Sequence, residues 1–460
     1  MAKRTLLQGG SVVTPQSTSR ADVLIDGESI ADILEPGTFS GEAEVRDVSD
    51  RLLLPGGVDV HTHMDSPSGP GHTTDTHETG TIAAAVGGTT TIIDFAAQTR
   101  GKTLLDAFEQ WQAKASDKAA IDYSFHITVS DLYAGATDDM RLLVQSGVPS
   151  FKVYMAYKGA VMLDDGQLFE VLKASGRMGA RVCIHAENGD VIDRIAADLV
   201  KEGKVGPRYH ELARPPATEE EAVHRAIIIA ELAEAPAYFV HMSTLGAVEA
   251  VRAAQDKSLP ISGETCAHYL TLTPEVYQAP DFEAAKAVLT PPIRTQNHQD
   301  ALWAGLTSGT IGIVSSDHCP LCFKTQKVIG REDFRDIPNG GPGVENRMIV
   351  LYSEGVASGR LSVQRYVEVT AERPAKEFGL FPRKGRLAPG ADADIIVLDP
   401  AGSTQVSART QYQNVDYSLW EGWTLKGAFE SVYSRGHVVA NQGTYVGRRG
   451  HGRFITRSSI

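Results

Sequence analysis

Residues 54–63 read LPGGVDVHTH and are followed by MDSPSGPGH, and these two stretches decide how the chain is organised. Residues two apart in a strand face the same way, so His61 and His63 can reach one cation together. The Pro- and Gly-rich continuation cannot extend a regular strand, which places both histidines at its carboxyl end. Beyond this first strand, 58–63, further strand patterns follow at 89–95, 121–128, 149–155, 180–185, 237–241, 260–264 and 311–317. Amphipathic stretches at 104–118, 165–178, 219–234 and 247–256 lie between them. Strands alternating with helices in this number predict an α/β fold, a closed (β/α)8 TIM barrel rather than a doubly wound sheet. Enzymes of that architecture build their sites at the carboxyl ends of the strands.

The two ends of the chain read differently. Residues 4–53 carry short β-like segments (23–25 and 29–33) broken by Gly and Pro, and similar segments return at 394–398 and 431–440 after a helical stretch near 363–379. The simplest arrangement is a small β-sandwich domain made from 1–54 together with 380–440, a barrel over 55–379 inserted between them, and a Gly- and Arg-rich C-terminal tail, 441–460.

A chain of 460 residues accommodates a barrel plus an accessory domain. Its 44 basic against 57 acidic residues, a formal charge of −13, disfavour nucleic acid or an anionic membrane as general partners. No apolar run is long enough to span a bilayer, and the start, MAKRTLLQGG, lacks the apolar core of a signal peptide. The four cysteines, Cys183, Cys266, Cys319 and Cys322, are too few for a disulfide framework. The Cys319–Cys322 pair has no second pair to complete a zinc ribbon. A cytoplasmic protein is expected.

Chemistry concentrates at the strand ends. In SFKVYM, residues 150–155, Lys152 shares a face with Ser150 and Tyr154, while Phe151, Val153 and Met155 share the other. With the apolar face packed outward on helices, Lys152 points into the barrel, where burial disfavours its ammonium form. A neutral amine reacts with carbon dioxide to give a carbamate, an anionic bidentate oxygen ligand able to bridge two cations. His185 ends the fifth strand, His241 the sixth and Asp317 the eighth. Each alone has a bland explanation, as a core histidine, a lysine paired with an acid, or a capping aspartate. Jointly, His61, His63, Lys152, His185, His241 and Asp317 converge on one mouth, and this mixed set suits zinc, with manganese or cobalt as alternatives. His72 and His77 read as surface residues.

The motifs LPGGVDVHTH, GGTTTIIDF, SFKVYMAYKG, IHAEN, VHMST, SSDHCP, DIPNGGPGVENR, FGLFPRKG and GADADIIVLDP together resemble the cyclic amidohydrolases, and within them the hydantoinase/dihydropyrimidinase group. The resemblance spans nearly the whole chain. It implies hydrolysis of the cyclic amide bond of 5-substituted hydantoins, dihydropyrimidines or both, giving N-carbamoyl amino acids. It implies two divalent metal ions, with His61, His63 and Asp317 on one, His185 and His241 on the other, and a Lys152 carboxylated by CO2 between them. Asp317 would shuttle the proton of the attacking water to the leaving nitrogen. Tyr157 would hydrogen-bond the developing oxyanion, and Tyr157, Thr290 and Asn339 would bind the substrate, the last two largely through backbone groups. A homotetramer is also implied.

The loop MDSPSGPGHTT departs from bacterial D-hydantoinases in carrying Ser66 and Ser68 where bulky apolar residues are expected, so ring substituent and D or L selectivity stay open. An allantoinase or dihydroorotase-type enzyme is the alternative. It calls for an arginine in the recognition loops, and none flanks the metal motifs at 64–72 or 152–159, with Arg294 as the nearest exception. A non-catalytic dihydropyrimidinase-like scaffold is the remaining one; six filled ligand positions oppose it.

Overall fold

The structure, a computed structural model, describes residues 4–69 and 71–459. Eight parallel strands form the barrel: Gly57–Thr62, Thr89–Ala97, Asp122–Thr128, Ser150–Tyr154, Arg181–His185, Ala237–Phe239, Ile261–Cys266 and Ile313–Ser315. They pair in chain order. The expected barrel is thus present, each strand lying within about two residues of its sequence-based position. Helices Leu104–Ala115, Asp165–Arg177, Pro216–Leu232 and Leu245–Asp256 occupy the expected crossovers. The first two start at capping boxes, on Thr103 and Asp164, which satisfy amide donors that a helix start leaves free.

The barrel is closed differently at one seam. The first and eighth strands share no regular ladder; they meet through the bridge between Thr62 and His318, with the His63 amide donating to the His318 carbonyl at 2.9 Å. Above the rest of that seam lies the buried guanidinium of Arg347. It donates to the Val314 carbonyl at 2.9 Å, to Val58 at 3.4 Å and to Thr89 Oγ1 at 3.0 Å, and forms an ion pair with buried Asp59 at 3.5 Å. Asp59 in turn accepts the Ser316 amide from the eighth strand's end at 3.2 Å. A Cβ on Gly57 would lie 2.9 Å from Arg347 Nη2, so glycine there makes room for the guanidinium.

The two chain ends meet in one further sheet of nine strands. Strand Arg4–Val13 pairs with Thr18–Asp26 and, in parallel, with both Glu44–Asp47 and Leu52–Pro55. Leu52–Pro55 then pairs antiparallel with Ile395–Gln405 from the other end of the chain, Leu53 opposite Val397. Its inward residues, among them Leu7, Val23, Leu53, Ile395 and Val397, form a core of their own. Sheet and barrel are tied by buried Lys384, which donates to Asp122 at 2.6 Å and Asp394 at 2.8 Å, and by Arg435, which donates to Asp122 at 3.1 Å.

The C-terminal stretch differs from its reading as a free tail. Tyr123 donates its amide to the Arg453 carbonyl at 3.0 Å, Ile455 returns a bond to Tyr123 at 2.8 Å, and Ser458 donates to Gly379 at 3.0 Å. Ile455 packs with Val58, Phe95 and Tyr238, and buried Arg457 donates to Ser124 Oγ at 2.9 Å and Ser150 Oγ at 2.7 Å. The segment therefore stops the barrel floor. It has few apolar residues because it is held by hydrogen bonds, and periodicity is blind to those.

Replacing Arg347 with Met leaves Asp59 buried without its cation and two strand carbonyls without their donor. The expected result is a loss of about 3–5 kcal/mol in denaturant unfolding; an unchanged midpoint and slope would contradict the seam's dependence on this pair.

Candidate active site

Strand alternation delivers the expected side chains to one end of the barrel. His61 is in the first strand, Lys152 in the fourth, opposite Thr128 and Cys183, and His185 closes the fifth. His63, His241 and Asp317 lie just past their strands. Tyr157, His241 and Asp317 hold left-handed backbone conformations, with φ of 68°, 41° and 48°. Non-glycine residues adopt that region at a cost, and such strain collects at functional sites.

The six residues form two adjoining groups. His61 Nε2 is 3.0 Å and His63 Nε2 3.3 Å from the same Asp317 oxygen. His185 Nδ1 stands 2.9 Å from His241 Nε2. His61, His241 and Asp317 bring ligand atoms within 4.8 Å of one another, which joins the groups into a set able to hold metal. The fully buried Lys152 amine makes no hydrogen bond and sits 4.8 Å from the ring centres of both Phe95 and Tyr154. Burial pushes its pKa down to about 8. His241 Nδ1 is buried without a partner as well. Buried polar atoms are rarely orphaned, and donors of this chemistry left unsatisfied at one point fit a bound cation pair.

The charges around them are tuned by carboxylates. Burial opposes protonation of His61, but the Asp317 and Glu264 carboxylates outweigh it and raise its pKa to about 9. Burial keeps His63, His185 and His241 below the usual histidine range. Burial works against ionisation of Asp317 too, yet the neighbouring imidazoles hold it well below the ordinary carboxylate range.

Several residues that sequence reading passed over orient these groups. Glu264, in the seventh strand, accepts from His61 Nδ1 and from the Tyr238 hydroxyl at 2.8 Å, turning His61 Nε2 toward the mouth. Its signal was an acid in the middle of a strand, in ISGETC. Glu187 lies 2.8 Å from His185 Nε2 and accepts from Arg214 at 2.8 Å. Behind Asp317, His318 Nε2 meets Asp75 at 2.9 Å while its Nδ1 accepts the Gly343 amide at 3.1 Å. His77, read as a surface residue, is instead fully buried between Asp65 at 3.3 Å and Asp94 at 3.4 Å. It begins helix His77–Val86, whose inner face turns toward the barrel. His72 is exposed, as expected.

The expected substrate-binding residues also come together. The Tyr157 phenol is half-buried, and its desolvation raises its pKa, while the Arg214 guanidinium and the side chains of Thr290 and Asn339 beside its hydroxyl partly offset the rise. Thr290 Oγ1 itself has no hydrogen-bond partner, so the approach to Tyr157 is close without being a formed bond. Arg294, the arginine that kept a charged substrate in view, is spent elsewhere. It is buried, donates to Ser243 Oγ at 3.1 Å and pairs with Glu219 at 3.6 Å.

Comparison with known proteins follows the same lines. The sequence profile of the amidohydrolase family matches residues 52–439. The chain is 46% identical over 463 residues to a D-hydantoinase of Streptomyces coelicolor, covering 100% of this chain and 99% of that one. It is 44% identical over 453 residues to a D-hydantoinase of Ralstonia pickettii, covering 98% of each. Among solved structures, a dihydropyrimidinase from Brevibacillus agri superimposes with a TM-score of 0.97 at 44% identity, covering 99% of both chains.

Burial opposes ionisation of Glu187, but Arg214 and His185 outweigh it and lower its pKa to about 2. Its folded pKa lies below the unfolded value of about 4.3, so its contribution to stability is complete above that pH and is lost as pH falls through the folded value. The stability gap between the parent protein and Glu187→Gln is therefore expected to narrow steadily from about pH 5 to pH 2 in denaturant titrations. A constant gap would contradict the assignment.

Proposed function

The chain belongs to the amidohydrolase family, and on that premise we propose that it hydrolyses the cyclic amide bond of hydantoins, dihydropyrimidines or both, releasing N-carbamoyl amino acids. The observation that carries the proposal is the buried, unpartnered Lys152 amine set among four histidines and Asp317. In this reading His61, His63 and Asp317 hold one divalent ion and His185 and His241 the other. Lys152, once its neutral amine had added CO2 and released a proton, would supply an anionic oxygen ligand to this centre. Imidazole and carboxylate donors suit Zn2+, with Mn2+ or Co2+ as alternatives. Bound there, the ions would supply Lewis acidity toward the scissile carbonyl and toward water.

The remaining work falls to side chains. Asp317, held well below the ordinary carboxylate range by its neighbouring imidazoles, is ionised and would accept the proton of the attacking water and deliver it to the ring nitrogen. That delivery matters because an amide nitrogen leaves poorly unless protonated. Tyr157, whose raised pKa keeps its proton, donates to the developing oxyanion. Thr290 and Asn339 flank that hydroxyl and hold the imide edge of the ring, mainly through backbone groups. The unspent polar atoms at this mouth favour a neutral ring over a carboxylated one, since Arg294 is already paired. Four free cysteines fit a reducing, cytoplasmic setting. The proposed assembly is a homotetramer, to be read by light scattering.

A panel of hydantoin, D- and L-5-substituted hydantoins, dihydrouracil, allantoin and dihydroorotate tests the substrate class. Ring opening of a hydantoin or dihydrouracil is expected; cleavage of dihydroorotate or allantoin alone would sink the proposal. The purified protein is expected to carry about two metal ions per chain by elemental analysis. Lys152→Ala should lose metal and activity, and short carboxylic acids should partly restore both. Full metal content in that variant would show that the lysine is no bridge.

A further inference from the structure

Thr290 and Asn339 stand on two pieces of irregular backbone, 288–291 and 338–340. Carbonyls buried in such segments have no ladder or helix to satisfy them and must find other donors. Three find one group. Lys327 Nζ donates to Val288 O at 2.9 Å, to Pro338 O at 2.8 Å and to Gly340 O at 2.7 Å. Those acceptors bracket Asn339 on both sides and lie two residues before Thr290. Lys327 is fully buried, and none of the three partners is a carboxylate. Holding a charge there on neutral carbonyls is costly, and burial pushes the Lys327 pKa down to about 7, so its place at this junction, with three carbonyls in hydrogen-bond reach, calls for a use.

The surroundings narrow that use to geometry. The Gly340 amide donates to Val288 O at 3.1 Å, so the two segments touch directly. A Cβ on Gly340 would lie 2.5 Å from the Cys319 carbonyl, so the second segment is also pressed against the loop that follows Asp317. On the first segment His210 Nε2 holds Leu289 O at 2.7 Å and the Tyr269 hydroxyl holds Pro291 O at 2.6 Å. The adjacent Gln326 extends the tie, donating to His72 O at 2.8 Å in the loop after the first barrel strand. The carbonyls flanking both ring-binding positions are thus pinned by buried side chains, and Lys327 is the one that spans the two segments.

We propose that Lys327 is a positioning residue for ring binding: its ammonium fixes the spacing between the segments that carry Thr290 and Asn339, and with it the gap that admits a cyclic imide. The inference rests on the reading of those two residues as the ring's holders. Lys327 touches neither the metal ligands nor Tyr157, so its removal acts on substrate affinity before it acts on chemistry.

The test uses Lys327→Met, which keeps length and removes every donor, and Lys327→Gln, which keeps two. With hydantoin or dihydrouracil as substrate, the Met variant is expected to raise KM about tenfold or more, with kcat within about threefold of the parent, the scale expected when hydrogen bonds from a charged donor are lost. The Gln variant is expected to fall between. Metal content should match the parent in both. An unchanged KM, a fall confined to kcat, or loss of metal would overturn the inference. Failure of both variants to fold would assign Lys327 to global stability and overturn it too. A parent protein inactive on either ring sinks the proposed function and this inference together, whereas an active parent whose variants keep its KM sinks the inference alone.

Discussion

The pairing of Arg347 with Asp59 spans the one barrel seam that backbone bonds join only at Thr62, His63 and His318. The first and eighth strands lie side by side without a regular ladder, and they bear His61 and Asp317. A guanidinium reaching both strands' carbonyls, and an aspartate reaching the amide of Ser316, hold those strands in a fixed relation. At the mouth end of the same seam, His61 and Asp317 approach to 3.0 Å.

From that seam the site extends as layers of acids behind bases. Glu264 stands behind His61, Glu187 behind His185, and Asp75 acts on the Asp317 loop through His318. Each carboxylate fixes which nitrogen of an imidazole turns inward, and partners of that kind are what orient ligands in metal sites. Lys152 Nζ and His241 Nδ1 have no such partner. The lysine amine sits against the rings of Phe95 and Tyr154 and makes no hydrogen bond.

The sequence made the barrel legible because strand alternation and helical periodicity are local and repeat eight times. It made the six inward residues legible because each ends or interrupts an apolar strand. What escaped depends on contacts far apart in the chain. Arg347 lies nearly 290 residues from its partner Asp59, and nothing local marks either as a closing pair. Glu264 looked like an ordinary strand residue until His61 was placed opposite it. His77 was misread because a histidine at a helix start usually faces water, whereas here two aspartates from other segments enclose it. The Arg-rich terminus was read as a tail because it is anchored largely by hydrogen bonds, with Ile455 as its buried apolar contact, and composition does not register hydrogen bonds.

The sheet that joins the two chain ends also bears on assembly. Leu53 pairs with Val397 across the whole length of the barrel segment. Closing a disordered loop of that length costs about 5 kcal/mol before any contact rewards it. A formed barrel removes most of that cost, because it delivers its own two ends to neighbouring positions. A formed barrel thus favours completion of the sheet, and the closed sheet in turn holds the two ends of the barrel segment side by side.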